Sequence, residues 1–140
     1  MQKIRTYQGF TLMELLIAIV IVGILTSVAL PSYRKYLQKA RYSELVQAAS
    51  PYKLSVEECY QNMGSLEQCS AGQSGVLPAV TANTAKASIN VASGVITVTP
   101  NNTRSSFANT DTYILTPTVN EFDGLSWSSS GGAVKAGLAN

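Results

Sequence analysis

The chain has 140 residues, of which 46% are apolar and 13% are charged, and its formal net charge is +2. This length limits the protein to one small core, and the apolar share excludes disorder driven by charge. The sequence contains no histidine and only two cysteines. That excludes Ser-His-Asp and Cys-His catalytic sites, histidine metal sites and four-cysteine zinc sites. We therefore expect neither an enzyme nor a cofactor.

Near the N-terminus lies a run of 19 residues without a charge, residues 15–33, LLIAIVIVGILTSVALPSY. A helix needs about 20 apolar residues to cross the hydrocarbon core of a bilayer. A secretory signal peptide cut after Ala29 and a plain single-span anchor are the two ordinary interpretations. Glu14 argues against both, because a carboxylate in a membrane helix costs about 3 kcal/mol and therefore usually has a partner.

The residues around Glu14 form a specific motif. Gly9 and Phe10 open the segment GFTLMELLI, which leads into the apolar run. This segment resembles the prepilin processing motif of type IV pilins, in which Gly|Phe-Thr-Leu-x-Glu-Leu precedes about 20 apolar residues. The flanking sequence also matches the glycine, proline and aromatic residue of type IVa pilins, here Gly23, Pro31 and Tyr33. The chain thus resembles a type IVa pilin precursor, and we expect a major subunit.

The resemblance implies a processing route. A prepilin peptidase would remove residues 1–9 by cutting between Gly9 and Phe10, and would then methylate the new amine of Phe10. In this family the carboxylate that corresponds to Glu14 meets the N-terminal amine of a neighbouring subunit during assembly. The free-energy cost of an unpaired charge in lipid leads to the same expectation, because two opposite charges in lipid are more stable together than apart.

The basic residues disagree with a simple topology rule. A cluster follows the apolar run, and positive-inside counting would place the C-terminal side in the cytoplasm. The processing motif and the cysteine pair favour export of that side instead, so we set the charge rule aside. We expect the cluster to face neighbouring subunits; it consists of Arg34, Lys35, Lys39 and Arg41.

The sequence predicts one long helix over residues 10–63, with a transmembrane or filament-core half (10–33) and an amphipathic half (34–63). The apolar face of the second half repeats at steps of three and four residues. Its predicted members are Tyr33, Leu37, Ala40, Leu45, Ala48, Tyr52, Val56, Cys59 and Met63.

Three positions interrupt this helical pattern. Pro31 predicts a kink, and Gly23 is a second weak point. The resemblance implies that the stretch between them unwinds locally in filaments, whereas a plain kink is the alternative for the isolated subunit. Ser50-Pro51 predicts a kink within one continuous helix; the alternative is a new helix with Ser50 as its N-cap.

The remaining residues, 64–140, predict a globular β domain. Gly64 ends the helix, and residues 65–87 have the Ser, Gly, Ala and Thr content of a surface loop. Cys59 and Cys69 enclose nine residues and predict one structural disulfide, worth about 3 kcal/mol for so short a loop. A redox-active pair is the alternative, but the spacing is not Cys-x-x-Cys.

Four runs in this domain predict antiparallel strands, at residues 88–92, 95–99, 112–116 and 125–128. The expected fold class is therefore α+β, with a long N-terminal helix packed on a four-stranded antiparallel sheet, and the resemblance implies the type IV pilin fold. The expected core residues of the sheet are Ile89, Val91, Ile96, Val98, Ile114 and Trp127.

The C-terminal region departs from the type IVa pattern. Many of these pilins place a disulfide cysteine two residues after a tryptophan, whereas here Trp127 is followed by two serines. Packing and hydrogen bonds must therefore hold residues 129–140, or the tail is mobile. Without residues 1–9 the chain has eight basic and eight acidic side chains, so counterion release does not drive DNA binding. The candidates for an exposed basic patch are Lys86, Arg104 and Lys135.

The resemblance thus implies a structural subunit, made as an inner-membrane precursor and assembled into an extracellular pilus. The implied partners are identical subunits, the prepilin peptidase and an assembly platform with ATPase motors. Adhesion, twitching motility, DNA uptake and contact with a host surface or DNA enter from the resemblance alone.

Two other functions are alternatives. A type II secretion pseudopilin shares this N-terminus but usually carries a calcium site. The nearby acids Asp111, Glu121 and Asp123 are too scattered in the sequence to form such a site. The second alternative is a membrane-tethered enzyme or binding domain with an uncleaved anchor.

Overall fold

A computed structural model describes residues 9–81 and 85–140. The predicted leader therefore lies outside the described residues except for Gly9, and so does the part of the predicted loop at residues 82–84. The chain forms two compact units, which divide between Leu37 and Gln38.

The first unit contains the N-terminal part of helix α1 (Leu12–Ala48), whose side chains from residue 12 to residue 37 are all exposed. The helix continues through Gly23 and Pro31. Hydroxyl groups near the proline bond to carbonyls one turn back: Thr26 donates to Val22 at 2.7 Å and Ser27 to Ile24 at 2.7 Å. The hydroxyls of Thr26 and Ser27 thus have hydrogen-bond partners within the apolar helix. Unwinding of residues 23–31 in a filament stays a prediction.

Helix α1 is followed, after one residue, by α2 (Ser50–Met63). Ala49 keeps helical angles, φ −78° and ψ −19°, but its N–H donates to the Val46 carbonyl three residues back at 3.1 Å. Pro51 lies in the first turn of α2, where its missing N–H leaves no bond broken. The structure therefore lies between the predicted kink and the alternative, because the helix is interrupted but Ala49, not Ser50, occupies the cap position.

The second unit contains a four-stranded antiparallel sheet with strand order β1-β2-β3-β4. The prediction of a long helix with such a sheet is confirmed, although the third and fourth strands run farther than predicted. The strands are β1 (Ala87–Ala92), β2 (Val95–Pro100), β3 (Tyr113–Val119) and β4 (Leu125–Ser130).

The core of the second unit lies between one helix face and one sheet face. The buried helix positions follow each other at steps of three or four residues, which is the spacing of a single face; they are Tyr42, Leu45, Ala49, Tyr52, Val56 and Cys59. Four of the predicted strand residues are buried with them, namely Ile89, Val91, Ile96 and Val98. Four predicted helix-face residues are instead exposed, namely Tyr33, Leu37, Ala40 and Met63.

Strand β3 corrects one core prediction. Tyr113 and Leu115 are buried and Ile114 is only half-buried, so the prediction of Ile114 as the core residue is wrong. Both faces of β3 are apolar at these positions, so the sequence did not determine which face turns inward. Trp127 is half-buried, and its indole N–H donates to the Glu57 carboxylate at 2.8 Å.

The C-terminal tail is held by packing and backbone hydrogen bonds. A short helix, α3 (Gly132–Lys135), follows β4, and Ala133 within it is fully buried. The Ala133 N–H donates to the Thr112 carbonyl at 3.0 Å. A Cβ on Gly132 would lie 2.0 Å from the Thr110 carbonyl oxygen, so only glycine allows this close approach.

Candidate functional site

The N-terminal site begins with an exposed aromatic residue and a helix cap. Phe10 is 78% exposed and precedes Thr11, whose hydroxyl accepts a hydrogen bond from the Glu14 N–H at 3.3 Å. Thr11 and Glu14 have the T-x-x-E spacing of a capping box, in which the first residue caps the helix start. The sequence-based prediction missed Thr11 as a functional residue, although this spacing was a sufficient signal.

Glu14 is the one charged side chain of residues 12–33. Its position in the first turn of α1 is electrostatically favourable, because the N-terminus of a helix carries partial positive charge. Among the residues that the structure describes, no ion pair involves Glu14. Glu14 thus lies at the start of the helix, with its carboxylate exposed to an outside partner.

Among the residues that the structure describes, none covers the apolar surface that follows Glu14. The helix contains an 18-residue window of mean hydropathy 2.5, and none of this window is buried. By length and composition it can cross a membrane, since 22 residues of helix span about 33 Å. Gly23 lies on this surface with open space where a side chain would be. The site can therefore do one thing chemically, which is to bury its apolar face against lipid or protein.

The predicted disulfide between Cys59 and Cys69 is present, with a Cα–Cα distance of 5.8 Å. It joins the end of α2 to the loop that follows. The Cys69 carbonyl accepts from the Gly94 N–H at 2.7 Å, and the Ala71 N–H donates to the Val91 carbonyl at 3.0 Å. The bridge therefore ties the helix to the β1–β2 hairpin, which supports a structural role.

Two tyrosines connect the helices to the loops of the second unit. The Tyr42 hydroxyl donates to the Asp111 carbonyl, and the Tyr60 hydroxyl donates to Asp123 Oδ1 at 2.8 Å. Burial, followed by the negative charge of Asp111, raises the pKa of Tyr42 above its ordinary value. The hydrogen bond to Asp123 raises the pKa of Tyr60.

Three basic residues line one cavity of about 240 Å³, namely Arg41, Lys86 and Arg104. Lys86 also forms an ion pair with Glu44 at 2.7 Å, and this bond lowers the pKa of Glu44. Two of the three predicted patch residues thus come together, with Arg41 added from the helix. Lys135 lies on α3 and does not line this cavity.

The carboxylates of the β3–β4 region bind protein groups. Asp111 Oδ2 accepts from the Ala108 N–H at 3.0 Å, and Asp123 accepts from Tyr60. Among residues 9–81 and 85–140, no cluster of three or more acidic or cysteine side chains could hold a metal ion.

Comparison with known proteins identifies the family of this chain. A family model described as "Pilin (bacterial filament)" matches residues 38–139, which is most of the chain. The chain belongs to the pilin family. A second model, the prokaryotic N-terminal methylation motif, matches residues 4–30 of this pilin and so covers Gly9, Phe10 and Glu14. The pilin family is a family of structural proteins.

The relatives of this pilin include type IV pilins. It is 37% identical over 92 residues to prepilin peptidase-dependent protein D of Escherichia coli strain K12, covering 66% of this chain and 62% of that protein. It is 40% identical over 79 residues to type IV pilus subunit protein TapA of Aeromonas hydrophila, covering 56% of each chain. It is 41% identical over 96 residues to type IV major pilin protein PilE1 of Neisseria gonorrhoeae, covering 67% and 53%.

A solved structure has the same fold. The solution structure of the major type IV pilin PpdD from enterohemorrhagic Escherichia coli matches with a TM-score of 0.54 and 27% sequence identity, over 68% of this chain and 69% of that chain. The curated relatives are longer than the matched part, since the chain spans between about half and just under two thirds of their length.

Proposed function

We propose that this chain is a major structural subunit of a type IV pilus, and that it polymerises through residues 10–33. One observation carries the proposal: an exposed apolar helix begins within the match to the methylation motif and has a single carboxylate, Glu14, in its first turn. In water this surface would be unfavourable, so the helix needs either a bilayer or copies of itself. One relative is a type IV pilus subunit protein and another is a type IV major pilin protein, which supports the same function here.

In the proposed pathway the precursor spans the bacterial inner membrane. A prepilin peptidase cuts between Gly9 and Phe10 and methylates the amine of Phe10, so that residues 10–63 become the N-terminal helix and residues 64–140 the β domain. An assembly platform with ATPase motors then moves the subunit into an extracellular filament. Adhesion, twitching motility and DNA uptake would be activities of that filament.

The proposed driving force for assembly is close helix packing together with charge pairing. Lipid already shields apolar side chains from water, so leaving the bilayer gains little from hydrophobicity alone. An unpaired Glu14 carboxylate, by contrast, costs about 3 kcal/mol in the membrane. Pairing it with the Phe10 amine of a neighbour removes that cost and selects one axial stagger, since only one stagger brings the two charges together.

The test uses a strain in which this chain is the only pilin. We expect Glu14→Ala to leave the amount of membrane-inserted precursor unchanged and to reduce surface filaments at least about tenfold, which corresponds to 1.4 kcal/mol. Thr11→Val is the matched control, because it removes the helix cap but leaves the charge. Normal piliation by Glu14→Ala would contradict the proposal, and so would filament loss in both variants to the same extent.

A further inference from the structure

The tip of the β3–β4 hairpin presents an unusually exposed aromatic ring. Phe122 is 92% exposed and is flanked by two acids, Glu121 and Asp123. We call residues 120–124 the hairpin tip. A large aromatic side chain at a fully exposed turn is typical of an anchor for protein contacts, since buried aromatic residues dominate interface energetics.

Hydrogen bonds hold the backbone of the hairpin tip in one conformation. Asn120 Oδ1 accepts hydrogen bonds from the N–H groups of Phe122 and Gly124, at 3.0 and 2.9 Å. The Asn120 N–H donates to the Gly124 carbonyl at 2.8 Å. The hydroxyl of Tyr60, on α2, donates to Asp123 Oδ1 at 2.8 Å. The ring is therefore displayed from a fixed turn, which reduces the entropy lost on docking.

A receptive surface lies elsewhere in the same unit. The basic cavity adjoins a second one of about 290 Å³, and the two share Glu44, Leu45 and Lys86. We call the joined cavities the basic cleft. Its walls combine apolar and cationic groups, because Ala48 and Ile89 line the second cavity while Arg41 and Arg104 line the first. Cavities of about 150 Å³ already accommodate a benzene ring, so the cleft has room for a phenylalanine side chain.

The charges of the two surfaces are complementary. The hairpin tip carries two carboxylates, and the cleft carries three cations against one anion, Glu44, which Lys86 already binds. Within the described residues, neither Arg41 nor Arg104 has an ion pair. A tip that entered the cleft would therefore bring Glu121 and Asp123 to these arginines while its ring met the apolar wall.

The two surfaces lie at opposite corners of the sheet. The cleft adjoins Lys86 and the start of β1, where Ala87 pairs with Pro100. The tip joins β3 to β4 at the opposite edge, beyond the pair Val119 and Leu125. Three strand spacings, about 14 Å, separate the two edges. One chain cannot close this contact on itself, whereas a head-to-tail contact between copies leaves a free tip and a free cleft at the ends.

We propose that the hairpin tip of one subunit docks, through Phe122, in the basic cleft of a second copy of this chain. The contact links globular domains along the filament and adds to the packing of the N-terminal helices. It rests on the proposed function, since it needs a filament in which copies repeat in one direction.

The test places a photoreactive phenylalanine analogue, azidophenylalanine, at position 122 of the full chain in assembled filaments. Illumination is expected to give a covalent ladder of dimers, trimers and higher species. Mass spectrometry is expected to locate the second end of the link in peptides with residues 41–48 or 86–107. The matched control places the analogue at Ser126, which is exposed on β4 but outside the tip, and should give no link to the cleft.

Charge exchange provides an independent arm. Glu121→Arg and Arg104→Glu should each lower the cross-linking yield about threefold, as is typical for an exposed charge pair, and the double variant should restore it. Lys135→Glu changes the same net charge outside the cleft and should have no effect.

Filaments in which position 122 links to another surface, to another protein or only in closed dimers would overturn the contact and leave the filament proposal standing. A single link at the cleft with no rescue by the charge exchange would overturn the proposed role of Arg104. A wild-type chain that forms no filaments would overturn the proposed function, and the contact with it.

Discussion

The two units of this pilin treat their apolar side chains in opposite ways. In residues 9–37 every side chain is exposed, although the segment is the most apolar of the chain. In residues 38–140 the buried apolar side chains form one core between a helix face and a sheet, although some large ones, such as Leu54 and Phe122, are exposed. The contrast teaches that the globular unit builds its own core, whereas the apolar helix needs surroundings that residues 9–81 and 85–140 do not provide.

Deleting residues 1–37 gives the largest expected effect on this contrast. We expect the remaining chain, starting at Gln38, to fold cooperatively and stay monomeric in buffer, because its core contains no residue from the deleted segment. The full chain should require detergent or membrane. Circular dichroism with analytical ultracentrifugation measures both. A truncated chain that is unfolded would show that the globular unit depends on the deleted segment.

The disulfide offers the next largest effect. Replacing both Cys59 and Cys69 with serine should lower the free energy of unfolding of the globular unit by about 3 kcal/mol, because the short closed loop no longer restricts the unfolded chain. Urea denaturation of the residue 38–140 chain measures this. Dithiothreitol should lower the wild-type stability by a similar amount and leave the double variant unchanged. Equal stability with and without the bridge would contradict the role given to it.

The tail allows steric contact and backbone strain to be separated. Gly132→Ala should cost about 2 kcal/mol, because the new Cβ would overlap the Thr110 carbonyl and push α3 away. Gly137→Ala is the matched control: its φ of +68° is strained for alanine, but its surroundings are open, so about 1 kcal/mol is expected. Thermal melting of both variants tests this order. The reverse order would show that the tail does not depend on close approach.

The smallest expected effect concerns alkaline pH. Burial raises the pKa of Tyr42, Tyr52 and Tyr113 above the ordinary value of 10.0. The folded state thus holds these protons more tightly than the unfolded state, so their stabilising effect is complete below about pH 10 and is lost as the pH rises through the folded pKa values. We expect the melting temperature to fall above pH 10.

Tyr42→Phe isolates one of these groups. At pH 7 it should cost about 1 kcal/mol, the usual value of the lost hydrogen bond to Asp111. Above pH 10 its melting temperature should fall less steeply than that of the wild type. Tyr36→Phe, at an exposed position, is the control and should change neither value. Parallel alkaline slopes for wild type and Tyr42→Phe would contradict the assignment.

The features that local sequence determines were predictable. The T-x-x-E spacing marks the helix cap, the cysteine pair predicts the disulfide, and turn residues with alternating side chains predict the four strands. Strand β3 was ambiguous because apolar residues stand on both of its faces, so Ile114 was chosen in place of Tyr113 and Leu115.

Features that depend on distant contacts were not predictable. Arg41 lies beside Lys86 and Arg104 only because the helix packs against the sheet, and no local sequence pattern predicts that these three residues line one cavity. The same holds for Trp127, which is half-buried, packs against the core and donates its indole N–H to Glu57 on α2. The requirement for glycine at position 132 arises from a carbonyl 22 residues earlier in the chain.

The most direct test of the central proposal, that the exposed helix is processed and then buried among copies of itself, is the N-terminal sequence and intact mass of the chain in sheared surface filaments. We predict a chain that begins at N-methylated Phe10 and lacks the first nine residues. A filament chain that retains Met1, or a native protein that keeps Met1 and occurs only as a single membrane-bound species, would contradict the proposal.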